Sequence, residues 1–335
     1  MRTRIAASAL LFLAACGQAP RAITGQWSLV SHTDGANTIN NVDTVLAGHT
    51  WRVNGTFTAD ESDTLALAIA YVQDAHINTD RFFSVNAFVS PFTRESNVLS
   101  TVDDQVWNVA WADERLSLRV GTELTLTFEP WTPTPSETLA VTGQVSVPYT
   151  GLFEPLVAPR VALVFLLPGA QPGEMRFIVD PRDDLPLAGF GADETQTASY
   201  DLSRAEGALG IQRVTYDTAF ISIGMVVVYD DRDQNSTLDE LFQSCQTANQ
   251  DCVRGISPVL ITYRMGDSTA LAASPFSFLL PAWSHAAVAT ELLPGGGERV
   301  GVAPLSTATV PLPIDVWVTF SGPATLPALV LEPAR

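Results

Sequence analysis

The feature that most constrains the fold is a set of three neighbouring segments in which apolar side chains recur at every second position. The segments are Trp107–Trp111, Leu116–Val120 and Leu124–Phe128. A two-residue turn at 113–114 and a three-residue loop at 121–123 align them in one register. The predicted pairs are Trp107 with Val120, Val109 with Leu118, Trp111 with Leu116, Val120 with Leu124, Leu118 with Leu126 and Leu116 with Phe128. Because one register places all these side chains on one face, the segments predict an antiparallel meander.

Strand-like patterns continue on both sides of this meander. Residues 65–71 alternate apolar residues with alanine, although the alanines and Ser62 as a capping residue leave a helix open as the alternative. Further strand-like runs occupy 141–147, 160–167, 198–202 and 221–229, and those at 160–167 and 221–229 are almost continuously apolar. Such runs are typical of strands that are buried on both faces. The chain is therefore predicted to be all-β.

A proline-rich segment divides the chain. Residues 129–137 contain three prolines within six positions, which favours a stiff and extended connection. We predict an N-terminal antiparallel β-barrel over 16–131, a linker over 132–136 and a β-sandwich over 137–335.

The N-terminus has the features of an export signal. Arg2 and Arg4 precede an uncharged run that ends at Ala15 and is too short to span a bilayer. The run closes with Leu13-Ala14-Ala15-Cys16, which resembles the lipobox of bacterial lipoproteins. An ordinary signal peptide with a chance cysteine is the alternative.

The resemblance implies that 1–15 is a signal peptide and that Cys16 carries acyl chains such as palmitate. Several chains on one residue anchor a protein stably without spanning the bilayer. Gly17, not Asp, follows Cys16, so the outer membrane is the expected location, on its periplasmic or surface face.

The other two cysteines are Cys245 and Cys252, out of three in the chain. An exported protein meets oxidising conditions, so we predict a disulfide between them, with two free thiols as the alternative.

The start of the predicted barrel resembles a known group of proteins. Gly25-Gln26-Trp27 opens the first strand, and a second strand follows at 51–57. This is similar to the small lipocalin-like barrels of bacterial lipoproteins, in which the Trp plugs one barrel end, often under an Arg from a late strand. Arg115 and Arg119 are candidates for that Arg, but the meander register turns both outward. A different barrel or a sandwich with an ordinary core Trp remains open.

The second half also carries a resemblance. Gly143-Gln-Val145, Val161-Ala-Leu163-Val164 and Tyr200-Asp-Leu202 precede a strand that enters an Asp-rich loop. This order is similar to transthyretin-like and immunoglobulin-like modules, which implies a β-sandwich.

The Asp-rich loop has the ligand spacing of an EF-hand-type calcium loop. The predicted ligands are Asp231, Asp233, Asn235, the carbonyl of Thr237, Asp239 and Glu240. Leu238 is expected to pin the loop to the core.

Two positions depart from the EF-hand pattern. Ser236 stands where Gly is preferred, and Phe242 stands where a bidentate Glu is expected, so Glu240 or a second loop must compensate. These departures predict a structural Ca²⁺ held weakly, with a Kd of about 10⁻⁴–10⁻³ M. The alternative is a loop held by Asx turns without an ion.

Composition excludes several function classes. The formal net charge of −18 disfavours nucleic-acid binding. All basic residues are Arg, which removes chemistry that requires Lys, such as P-loop phosphate binding. The four histidines are scattered, so zinc is not expected.

No catalytic pattern is recognisable in the sequence. Acidic pairs occur at 103–104, 113–114 and 183–184, but no side-chain nucleophile lies beside a general base, so we predict no catalytic residues.

These observations predict a membrane-anchored binding or structural module of the bacterial envelope, with an envelope protein as its partner. The first alternative is a carrier of a small apolar ligand, because five of the seven tryptophans fall in the predicted barrel. They can equally fill the barrel core, which we favour. The second alternative is a hydrolase that uses paired carboxylates.

Overall fold

The computed structural model describes residues 21–74, 82–147, 156–168, 175–187, 196–204, 214–239, 250–307 and 316–317. The predicted signal peptide, Cys16, Glu240 and Cys245 therefore lie outside the described residues. The described part is almost entirely β, as predicted, with twenty strands and one short helix. None of its helices is long and apolar enough to cross a membrane.

Eight of the described strands form a closed antiparallel barrel, in which each strand pairs with the next and the last pairs with the first. They are β1 (Gly25–Asp34), β4 (His49–Ala59), β5 (Thr64–Asp74), β6 (Phe82–Glu95), β7 (Val98–Thr101), β8 (Val106–Ala112), β9 (Arg115–Val120) and β10 (Leu124–Pro130). Two short strands, β2 (Asn37–Asn40) and β3 (Thr44–Leu46), form an insertion between β1 and β4. Pairing of β1 with both β4 and β10 closes the barrel.

The predicted meander register is confirmed. Val109 pairs with Leu118 and Trp111 with Leu116. The next pair of strands matches Leu118 with Leu126, Leu116 with Phe128 and Val120 with Leu124. The ladder between β8 and β9 ends at Asn108 and Arg119, one position before the predicted pair of Trp107 and Val120.

The helix alternative for 65–71 is wrong, because these residues lie in the middle of β5. Leu65, Leu67 and Ile69 pack inside the barrel. The alanines between them are also buried, on the outer face of the barrel. A strand that is covered on both faces explains why neither set of positions is polar.

Large side chains occupy the barrel interior. Phe57 and Phe128 are fully buried, and their ring centroids lie 5.7 Å apart. Trp27 lies at one end, where its indole N–H donates to the carbonyl of Ile23 over 2.9 Å. Arg21 also lies at this end, and its guanidinium carbon is 4.3 Å from the centre of the Trp111 ring.

Arg115 and Arg119 are exposed, as the meander register predicted. The arginine that covers an aromatic ring at the Trp27 end therefore comes from the segment before β1 and not from a late strand.

The second body has two sheets packed face to face. The larger sheet has the order β13-β12-β16-β17-β18-β19, with β15 on the free part of β16. Its strands are β12 (Pro159–Pro168), β13 (Met175–Pro186), β15 (Val214–Tyr216), β16 (Ala219–Asp230), β17 (Cys252–Met265), β18 (Ala282–Leu292) and β19 (Glu298–Thr307). The smaller sheet contains β11 (Thr142–Val147), β14 (Gln196–Asp201) and β20 (Val316–Trp317).

Both faces of the larger sheet are covered. One face packs on the smaller sheet, and the other packs on the segment that includes α1 (Thr269–Ala272). The burial of β12 and β16 is therefore nearly continuous along each strand. This arrangement agrees with the predicted sandwich and explains the apolar runs in the sequence.

The barrel and the second body are bonded to each other directly. Strand β18 pairs in parallel with β6 through Thr290 opposite Phe88 and Glu291 opposite Val89. The outward alanines of β5 belong to the same apolar cluster as the core between the two sheets. The proline-rich segment also contacts the second body, since the carbonyl of Ser136 accepts the N–H of Trp283.

Candidate metal centre

The Asp-rich loop begins where β16 ends, and the register of the next strand determines what faces it. Strands β16 and β17 pair antiparallel, with Asp230 opposite Cys252. Asp231 and Asp251 are the next residues outward from this last pair. Strand pairing thus brings together two carboxylates that are twenty positions apart in the sequence.

Three carboxylates converge at this point. Asp231, Asp233 and Asp251 each offer one oxygen atom, and the three oxygens lie within 4.8 Å of one another. Asp231 and Asp251 are only 2% and 3% exposed, whereas Asp233 is exposed. Oxygen ligands about 2.4 Å from a single Ca²⁺ lie no more than about 4.8 Å apart. The separation is therefore compatible with one shared ion.

Backbone groups hold the loop in a tight turn. The carboxylate of Asp231 accepts the N–H of Asn235 at 3.1 Å and that of Ser236 at 3.0 Å. Ser236 has a φ of 63°, in the left-handed region that favours glycine. The turn expected at this position is therefore present although the residue is Ser. Leu238 is buried in the core of the second body and pins the loop as predicted.

Hydrogen bonds join the described loop residues beside the three carboxylates, whereas Glu240 lies outside the described residues. The Asn235 amide donates to Asp233 at 2.8 Å and to Asp239 at 3.2 Å. The Asn235 side-chain oxygen accepts the N–H of Thr237 at 2.7 Å. The structure therefore places Asp231 and Asp233 in the convergent group, with Asn235 and Asp239 beside it.

Asp251 is the site residue that the sequence prediction missed. One of its oxygens, Oδ2, accepts the N–H of Asp239 at 3.0 Å. The other, Oδ1, is buried and has no hydrogen-bond partner among the described residues. Burial, together with the charges of Asp231, Asp233 and Asp239, raises the pKa of Asp251 to about 6. One feature of the sequence pointed to such a residue. Phe242 stands where a carboxylate ligand is expected, so Glu240 or a second loop had to supply that ligand.

A neighbouring carboxylate shows a different arrangement. Asp230 is fully buried, and its Oδ1 accepts the N–H groups of Val157 at 2.7 Å and Ala158 at 2.9 Å. Its Oδ2 lies 3.2 Å from Nε of Arg232 and 3.9 Å from Nη2 of Arg254. Arginines thus balance the charge of Asp230, whereas the adjacent site collects three carboxylates around one point.

The acidic pairs noted in the sequence have structural contacts. Asp184 accepts hydrogen bonds from Arg160 Nε at 2.8 Å and from the Tyr229 hydroxyl at 2.6 Å. Asp183 forms an ion pair with Arg204. Asp113 has a φ of 54° in the predicted turn between β8 and β9. Asp183 and Asp184 are thus engaged in ion pairs and hydrogen bonds, and Asp113 lies in the predicted turn.

Comparison with known proteins adds no relative: no protein-family model, curated protein or solved structure matches this chain.

Proposed function

We propose that this protein is an envelope lipoprotein, anchored through Cys16, that acts as a binding or structural module stabilised by Ca²⁺. The ion would bind Asp231, Asp233 and Asp251, with the loop from Asn235 to Asp239 completing its shell. The observation that carries the calcium proposal is the buried Oδ1 of Asp251, which has no hydrogen-bond partner in the described part of the chain.

The electrostatics of the site support a bound cation. Removing a carboxylate from water is costly unless it is paired, protonated or bound to a metal. Here two nearly buried carboxylates share a site with a third, so their repulsion adds to the cost of burial. All three donors are carboxylate oxygens, which are the ligands that Ca²⁺ prefers.

The position of the chain before β1 supports the anchored arrangement. The carbonyl of Arg21 accepts a hydrogen bond from Arg94 at 2.6 Å, and the Arg21 side chain covers Trp111 at the Trp27 end of the barrel. Five residue steps connect Cys16 to Arg21, a span of at most about 18 Å. A lipid on Cys16 would therefore hold this end of the barrel close to the membrane.

The closed eight-stranded barrel that begins at Gly25-Gln26-Trp27 also supports the proposed lipocalin-like relationship.

The anchor is tested by Cys16→Ser in the full-length protein. We expect the variant to leave the membrane fraction, because it lacks the thiol that accepts the lipid. Cys245→Ser is the matched control and should stay membrane-bound. If the processed Cys16→Ser protein also stays in the membrane after a carbonate wash, the lipid-anchor proposal is wrong.

A ligand carrier is a second candidate function, because polar atoms inside the barrel lack partners. Nε1 of Trp107 and Nε2 of His32 are buried without a hydrogen-bond partner among the described residues. His32 packs edge-on against Tyr71 at 5.3 Å between ring centroids, and burial lowers the pKa of His32. A small apolar ligand with a polar end group could satisfy these atoms.

The carrier hypothesis is tested by titration with the fluorescent apolar probe N-phenyl-1-naphthylamine. We expect saturable binding that Trp107→Phe weakens by about tenfold, because part of the apolar contact with the probe is lost. Trp131→Phe, outside the barrel strands, is the control and should bind as the native protein does. Absence of saturable binding would rule out the carrier.

A further inference from the structure

A cleft separates the outer face of the barrel from the second body. Its volume is about 690 Å³, within the usual range for small-molecule sites. Gln26, Thr58 and Asp60 line it on the barrel side, and residues from Arg264 to Pro281 line it on the other. Contact between two bodies commonly creates binding sites, because each body supplies one wall.

The barrel wall of this cleft contains an unsatisfied hydroxyl group. Thr56 and Thr58 both point away from the barrel interior, since Phe57 and Ala59 between them belong to the barrel core. The Thr56 hydroxyl donates to the carbonyl of Pro304 in the second body. The Thr58 hydroxyl is buried and has no hydrogen-bond partner within the described ranges, and the residue is only 8% exposed. A buried hydroxyl without a partner costs about 1–3 kcal/mol, which a ligand could recover.

The charged groups of the cleft are already engaged. Arg264 donates to the carbonyl of Leu279 at 2.6 Å and forms an ion pair with Asp267. Oδ1 of Asp60 accepts the N–H groups of Ser62 at 3.0 Å and Thr64 at 2.9 Å. Because each of these charged groups already has a partner, a ligand ion would lose its hydration without gaining an unpaired counter-charge. The cleft therefore favours a neutral ligand.

The remaining lining combines apolar and hydrogen-bonding surface. Leu271, Phe278 and Leu279 provide apolar contact, and Gln26 and Ser277 add groups that both donate and accept. A purely apolar ligand would leave the Thr58 hydroxyl unsatisfied. A ring with hydroxyl groups on its edge and C–H groups on its face satisfies both kinds of surface.

We propose that this cleft binds a small neutral saccharide, with Thr58 and Gln26 contacting its hydroxyl groups and Phe278 contacting its ring face. The site is separate from the candidate metal centre and from the barrel interior, and it does not depend on either.

Isothermal titration calorimetry of the full mature protein, in a detergent that contains no sugar, tests this proposal. Three probes of similar size differ in charge: N-acetylglucosamine is neutral, glucosamine is a cation and glucuronate is an anion. We expect N-acetylglucosamine to bind, and the two charged sugars to bind at least about tenfold more weakly because each loses its hydration without gaining an unpaired counter-charge in the cleft. Thr58→Val keeps the shape of the side chain and should weaken binding of N-acetylglucosamine about fivefold to tenfold.

Thr33→Val, which removes a half-buried threonine hydroxyl from the other end of β1, is the matched control and should bind like the native protein. Gln26→Ala provides a second variant if Thr58→Val melts at a lower temperature than the native protein. The proposal is overturned if no probe binds at up to 100 mM, if a charged sugar binds as tightly as the neutral one, or if both cleft variants bind like the native protein.

Discussion

Asp251→Asn is expected to remove most of the stabilisation that calcium gives to this protein. An ion with a Kd of about 10⁻⁴ M stabilises the folded state by about 2.7 kcal/mol when it is present at about 10 mM. For a protein of this size, that corresponds to a rise in melting temperature of roughly 4 °C. The substitution preserves the side-chain volume but removes one of the three converging charges, so the rise should fall to about 1 °C or less.

The same substitution should have the opposite effect when calcium is removed. In EDTA, the native protein keeps a buried carboxylate whose Oδ1 lacks a partner among the described residues, and its charged form is disfavoured by burial and by neighbouring carboxylates. The neutral amide relieves this repulsion. We therefore expect Asp251→Asn to melt at a higher temperature than the native protein in EDTA and at a lower temperature in calcium. A residue with a purely structural role would not reverse its effect.

Differential scanning fluorimetry in EDTA, in CaCl₂ and in MgCl₂ measures this reversal. Asp43→Asn is the matched control, because Asp43 lies in the insertion between β1 and β4, far along the chain from the metal centre, and pairs with Arg52 on the surface. Its response to calcium should equal that of the native protein. If millimolar Ca²⁺ produces neither heat in calorimetry nor a change in the native melting temperature, the metal centre does not exist.

Acid is expected to destabilise the second body through His285. This side chain is fully buried in β18, with Nδ1 3.0 Å from the Ser306 hydroxyl and Nε2 3.1 Å from the carbonyl of Ala140. A carbonyl can only accept, so Nε2 carries the proton and Nδ1 accepts from the hydroxyl. Burial lowers the pKa of His285 to about 4. The unfolded chain therefore binds a proton near pH 6.5, while the folded protein does not.

The contribution of His285 is fully present above pH 6.5 and is lost as the pH falls towards 4. The lowered pKa corresponds to a loss of about 3 kcal/mol over this range. Urea unfolding at pH 7.5, 6.0, 5.0 and 4.5 measures it by comparison with His285→Gln. This variant should be less stable at pH 7.5, but its free energy of unfolding should depend less on pH. Equal pH dependence of the two proteins would show that His285 does not cause the loss.

The sequence alone was sufficient to predict those features that arise from interactions between residues close together in the chain. The meander from β8 to β10 follows from side-chain alternation and loop length, because a shift by one residue would turn every apolar side chain to the opposite face. The turn of the Asp-rich loop was predictable for the same reason, since its contacts join residues at most five positions apart. Ser236 adopts the left-handed conformation there because the carboxylate of Asp231 holds its N–H.

The tertiary structure decided the features that depend on contact between segments distant in the sequence. The alanines of β5 left a helix open as the alternative to the predicted strand, and contact with the second body explains them, because it buries the outer face of the barrel. Asp251 carries no sign of its role in its neighbourhood of the sequence, because the pairing of β16 with β17 creates its position beside Asp231. The cleft beside Thr58 likewise needs both bodies. Local spacing determines which face a side chain occupies, but only the packing of distant strands determines what lies opposite that face.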